Sequence, residues 1–133
     1  MKLVEIPTIT HGVAQKALIE CDRQNRTLTM LLEKGSRKTY VANDLYECLG
    51  LLRADFPETK FLCKGSKLNV HPSRMSSQMS AGIVAYELIL GVPSEPDDVV
   101  NIFDFEDVDI TNDIKQQRDF YIRWLDSLNR QQD

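Results

Sequence analysis

Eight carboxylates crowd the nineteen residues from Glu95 to Asp113: Glu95, Asp97, Asp98, Asp104, Glu106, Asp107, Asp109 and Asp113, with no Lys or Arg among them. Elsewhere sixteen Lys and Arg face twelve Asp and Glu, so the net charge of −4 has its source in this one stretch. Phe103, Phe105, Val108 and Ile110 interleave with the acids. Three kinds of chemistry suit such a run. It could be a solvated loop leading into a helix whose positive dipole end favours acids. It could be a calcium loop over Asp104–Asp109, but the sixth position lacks the turn glycine and the twelfth is Lys115 instead of a bidentate glutamate. It could be a docking face, because concentrated carboxylates speed encounter with a cationic partner and penalise wrong ones. On that third reading Glu95, Asp97, Asp98, Asp104, Glu106, Asp107 and Asp109 are the contact residues. If Phe103 faces a core, alternation puts Asp104 and Glu106 on the opposite face.

The remaining reactive residues are sparse. Lys64-Gly65-Ser66-Lys67 has the look of a phosphate loop but lacks the upstream glycine and the Gly-Lys-Ser/Thr order, which leaves a tight turn. Cys63 and His71 could pair for thiol catalysis, although a buried strand cysteine is the commoner use of such a residue. His11 and His71 are too isolated for a metal site, and no GxSxG, SxxK or GxGxxG motif occurs. Two classes of function remain: a non-catalytic binding module using the acidic stretch, or a small enzyme or ligand-binding protein in which Lys64, Lys67 and Arg74, from the Gly65–Arg74 segment and its flank, receive an anion. Neither reading calls for a metal or other cofactor.

These residues must be held by elements that the pattern partly discloses. Residues 17–21 and 27–33 flank the polar loop 22–26 as a hairpin, the second run alternating Leu28, Met30 and Leu32 against Thr27, Thr29 and Leu31. Tyr40-Val41 adds a short extended piece. Asn43 is placed to cap a helix carrying Leu45, Cys48, Leu49, Leu52 and Phe56 on one stripe, stopped by Pro57. Lys60–Cys63 reads as a strand, with Leu68–Val70 as its brief successor. A second helix is predicted from Ser73 to Leu90, ahead of Gly91 and Pro93, with Met75, Met79, Ile83, Tyr86 and Leu90 as its apolar ridge. Val99–Phe103 reads as a central strand covered on both faces. The last helix, capped by Thr111, aligns Ile114, Gln117, Tyr121, Trp124 and Leu128. The expectation is a single domain, residues 1–133, of mixed α+β or α/β class, in which three helices pack on a sheet of four or five strands.

Composition narrows the class further. With 42% apolar and 27% charged residues, the chain has the balance of an ordinary globule. A net negative chain argues against general nucleic-acid binding, which needs a basic face. No apolar run approaches the ~20 residues of a membrane span. The start MKLVEIPTITHG lacks the basic and apolar segments of a signal peptide. Three cysteines without a CxxC pair suit a reducing compartment. A cytoplasmic protein is expected.

The segment Cys63-Lys64-Gly65-Ser66-Lys67-Leu68-Asn69-Val70-His71-Pro72-Ser73-Arg74-Met75-Ser76-Ser77-Gln78-Met79-Ser80-Ala81-Gly82, followed by Ala85-Tyr86, Val100-Asn101-Ile102-Phe103-Asp104, Gln116-Gln117 and Trp124, resembles a family of small bacterial proteins. That family includes immunity proteins of contact-dependent growth inhibition and related polymorphic toxin systems. The resemblance spans residues 60–128. It implies a non-catalytic cytoplasmic inhibitor that binds the cognate toxin domain, often a nuclease, and blocks its active site or substrate path. A nuclease must be basic to hold phosphates, which suits an acidic inhibitor. The shared positions are structural in character: Gly65 for a turn, Asn69 and Ser73 for loop bonding and capping, Gly82 for close packing. They speak of a common fold more than a common target.

Overall fold

The hairpin around the polar loop 22–26 forms the middle of a larger sheet. The computed structural model describes residues 1–130. Its β2 (Val13–Asp22) pairs with β3 (Thr27–Leu31), and β3 with β4 (Arg37–Val41). β1 (Lys2–Thr10), which the pattern does not signal, runs antiparallel to β2 from Lys2↔Cys21 to Thr10↔Val13. β5 (Thr59–Phe61) closes the other side against Thr8–Thr10, giving the order β4-β3-β2-β1-β5. Alternate side chains of the sheet, among them Ile6, Ile19 and Leu28, reach zero exposure beneath α1 (Leu45–Ala54), whose Leu45, Leu49 and Leu52 are equally buried. Asp44 rather than Asn43 caps α1. It is the last extended residue, and its carboxylate accepts the Glu47 N–H at 2.8 Å.

The helix predicted over 73–90 is helical only at its start and becomes a strand after residue 83. α2 covers only Arg74–Met79, started by Ser73, whose hydroxyl accepts the Ser76 N–H. Ala81 (φ 55°) and Gly82 (φ 81°) then turn the chain through the left-handed region. Gly82 also lies so close to Asp44 that an added Cβ would sit 2.7 Å from its carboxyl carbon. The residues beyond form β7 (Val84–Glu87), where Ala85 is fully buried, while Met75 and Met79 are exposed. An i, i+4 ridge and a strand bounded by a glycine turn share several apolar positions here, and the positive-φ turn decides between them.

β7 is the centre of a second sheet, order β6-β7-β8, between β6 (Val70–His71) and β8 (Val99–Asn101). The run 99–103 is therefore an edge strand, not a central one covered on both faces, and Val99 is exposed. Instead of one sheet of four or five strands there is one of five and one of three. The fold class is mixed α+β, with three helices among the described residues. α3 (Ile114–Arg130) starts at Asp113, whose carboxylate accepts the Lys115 N–H, with the Thr111 hydroxyl bracing it through the Asp113 N–H and the Gln116 side chain. Its Gln117 and Trp124 are buried as the sequence face requires.

Candidate functional site

The acidic stretch opens as a 3₁₀ turn, Pro96–Asp98, in which Glu95 and Asp98 cap each other reciprocally. After β8 the chain leaves regular structure and becomes a strap lying along residues 62–68. Gly65 N–H donates to Ile102 O at 2.8 Å, Lys64 N–H to Asp104 O at 2.7 Å, Leu68 N–H to Asp109 O at 2.9 Å and Thr111 N–H to Ser66 O at 2.9 Å. The close approach requires Gly65. A Cβ there would stand 2.6 Å from the Leu49 side chain and 3.0 Å from that of Ile102. Lys64–Ser66 is accordingly a 3₁₀ turn with Gly65 and Ser66 buried.

One acid pins the strap. Glu106 is only 9% exposed. Its Oε1 accepts Lys64 Nζ at 2.9 Å and Lys67 Nζ at 2.7 Å, while Oε2 accepts the N–H groups of Asp107 and Val108. The Lys67 bond, aided by Lys64 and the Val108 amide, pulls its carboxyl down to about 2. Lys64 is also bonded to Glu87, which raises its own pKa. This inverts the expected alternation: Glu106 points inward and Phe105 outward, 59% exposed. Four donors satisfy a buried carboxylate better than the pocket could satisfy a phenyl ring.

The other candidate residues are disposed differently. Glu95, Asp97, Asp98, Asp104, Asp107 and Asp109 are all exposed. Among the described residues, none of these six carboxylates has a cationic partner within salt-bridge distance. Asp104, Asp107 and Asp109 alternate with exposed Phe105 and Val108, so an apolar centre stands among carboxylates. The backbone beneath them is fixed by the bonds already described. That arrangement can meet a cationic surface with little ordering cost. Among the described residues, no group of three or more His, Cys, Asp or Glu is gathered to hold a metal ion.

The alternative anion site is built otherwise than the sequence suggests. Lys64 and Lys67 already hold Glu87 and Glu106, so an anion would have to displace two of the protein's own carboxylates. Arg74 is exposed on α2. Cys63 and His71 have separate partners. The buried Cys63 thiol, raised by desolvation, contacts the Ser66 hydroxyl at 3.4 Å, and His71 Nδ1 donates to Pro72 O at 2.7 Å.

Sequence reasoning missed Arg53, which lies four residues after Leu49 and on the same buried side of α1. It has no exposure, yet among the described residues no carboxylate forms an ion pair with it. Its guanidinium donates to Leu49 O, to Thr111 O at 2.5 Å and to Gln117 Oε1 at 2.6 Å. Gln117 Nε2 continues to the carbonyls of Gly65 and Lys67, both at 2.9 Å. Asn112 adds bonds to the carbonyls of Arg53, Phe56 and Thr59. The end of the strap is thus locked to α1, α3 and the 64–67 turn together. No protein-family model and no curated protein matches the chain.

Proposed function

We propose that this chain is a non-catalytic immunity protein that neutralises a basic toxin domain, the cognate toxin of a contact-dependent growth inhibition system, in the cytoplasm. The toxin is a nuclease on this reading, since phosphate-holding enzymes carry the cationic surface that the strap complements. The carrying observation is the strap itself: Phe105 and Val108 exposed among Asp104, Asp107 and Asp109, these acids unpaired with a cation among the described residues, on a backbone pinned by hydrogen bonds and by Glu106. An exposed aromatic within a charged rim is the usual composition of a strong protein contact. Among the described residues no helix is long and apolar enough to cross a membrane.

Co-expression with the candidate toxin domain tests the reading. Growth should be rescued and the two chains should co-purify. The double variant Asp104→Lys, Asp107→Lys should slow association by about tenfold or more and flatten its salt dependence, because long-range attraction is screened over ~8–10 Å. Failure of the cognate pair to rescue growth overturns the function. Rescue with unaltered association in the reversed variant rejects this surface.

A further inference from the structure

A cleft of about 360 Å³ is lined among others by His71, Tyr86, Ser94, Glu95, Tyr121 and Trp124. It is built from three elements, with β6 and β7 on one side, α3 on another, and the loop after β7 closing it. The loop is anchored to α3, since Gly91 N–H donates to the Ser127 hydroxyl at 2.8 Å and Trp124 Nε1 donates to Val92 O at 2.9 Å. The aromatic wall is ordered. His71 stacks on Tyr121 with ring centroids 4.1 Å apart and planes 7° from parallel, and Tyr121 stacks in turn near Trp124 at 6.0 Å.

The chemistry of the lining is one-sided. Trp124 is 8% exposed and has spent its only donor on Val92, so the little it turns to the cleft is ring carbon. His71 has committed Nδ1–H to Pro72 O, so its other nitrogen is a lone pair in the neutral ring. Burial lowers the His71 pKa, opposed by the Pro72 bond and Asp44 and helped by the Arg118 charge. The Tyr86 and Ser94 hydroxyls have no partner among the described residues, and Glu95 contributes a carboxylate at the rim. The turn that begins at Glu95 also carries Asp97 and Asp98. Aromatic carbon, the His71 lone pair, two hydroxyls able to accept or donate, and the Glu95 charge together suit a planar cation. A phosphate-bearing ligand would meet the Glu95 carboxylate, and a neutral ring forfeits the charge pairing. A guanidinium satisfies every part, since it stacks on aromatic faces, pairs with a carboxylate through two N–H groups, and sheds water more readily than an ammonium. The cleft falls at the small end of the ligand-pocket range, room for one long side chain.

We propose that this cleft is a binding site for an arginine side chain, which Glu95 pairs and the Tyr121–Trp124 wall stacks. As the source of that arginine we take the basic partner, a point that rests on the inhibitor reading above; the guanidinium site itself does not. Trp124 is the sole tryptophan, so its emission reports on the cleft directly. The purified chain is titrated with N-acetylarginine amide, its neutral isostere N-acetylcitrulline amide, and adenosine, following Trp124 fluorescence and the indole N–H resonance. Saturable change with the arginine compound in the millimolar range is expected, at least fivefold weaker for citrulline, and weakened at least fivefold by Glu95→Gln, which keeps an acceptor for the turn. Equal response to citrulline, preference for adenosine, no response at all, or an unaffected Glu95→Gln variant overturns the proposal. The titration contains no toxin, so its failure leaves the growth-rescue result standing, and the converse holds equally.

Discussion

In the five-stranded sheet, what is buried is hydrocarbon: Ile6, Ile19, Leu28 and Phe61 have no exposure and pack on the leucines of α1. Along the strap, beyond Ile102, what is buried is polar. Glu106, Gln117 and Arg53 are enclosed there, each met by oriented partners. The contrast follows from what each region presents to water. A sheet can hide one face and expose the other. A loop bearing three exposed carboxylates cannot bury a regular apolar stripe as well, so directional bonds must fix its shape. Apolar burial tolerates sliding, whereas a hydrogen-bonded loop has one register.

The sharpest way to break this comparison is at Arg53. Arg53→Ala should cost about 3–5 kcal/mol in urea unfolding, because it leaves a cavity and orphans the Thr111 and Gln117 oxygens. That is as large as a core truncation such as Phe61→Ala. A loss below ~1 kcal/mol would show that the polar lock does not hold the strap. Next in size is Glu106→Gln, expected to cost roughly 1.5–3 kcal/mol through its charged bonds to Lys64 and Lys67. The sign of its pH dependence is fixed. With the folded carboxyl pulled from 4.5 to about 2, its stabilisation is complete above the unfolded value and drains away as pH falls from about 5 towards 2. Unfolding followed across that range should show this acid loss in the parent and a flatter profile in Glu106→Gln. The smallest effect belongs to the sheet surface. Arg37→Ala removes the exposed contact to Glu20 at 3.1 Å and should change stability by less than ~1 kcal/mol.

The same division governs what could be read from the chain. The stripe Leu45, Leu49, Leu52 and the face Gln117, Tyr121, Trp124 are periodic, and both helices stand where the pattern puts them. The hairpin at 22–26 is equally legible. β1 escaped because Pro7 interrupts its pattern, a residue the strand tolerates where its pairing to β5 runs out. The 73–90 helix failed on two residues, Ala81 and Gly82, whose positive φ a periodicity count does not register. At the candidate site the carboxylates could be counted in sequence, but Glu106 could not be told from Asp104 or Asp107. Only the lysines three apart in the 64–67 turn distinguish it, and their approach depends on the Gly65 contact with Leu49 and Ile102.

The two strongest acceptors of Arg53 lie 58 and 64 positions further along the chain. During synthesis at ~5–20 residues per second, α1 therefore waits several seconds with a charged side chain that its own neighbourhood cannot satisfy. The sheet and α1 can collapse in that interval, but the strap takes its final form only when α3 arrives and Gln117 enters. The shape of the strap is thus completed together with the docking of α3, through the Arg53–Gln117 bond.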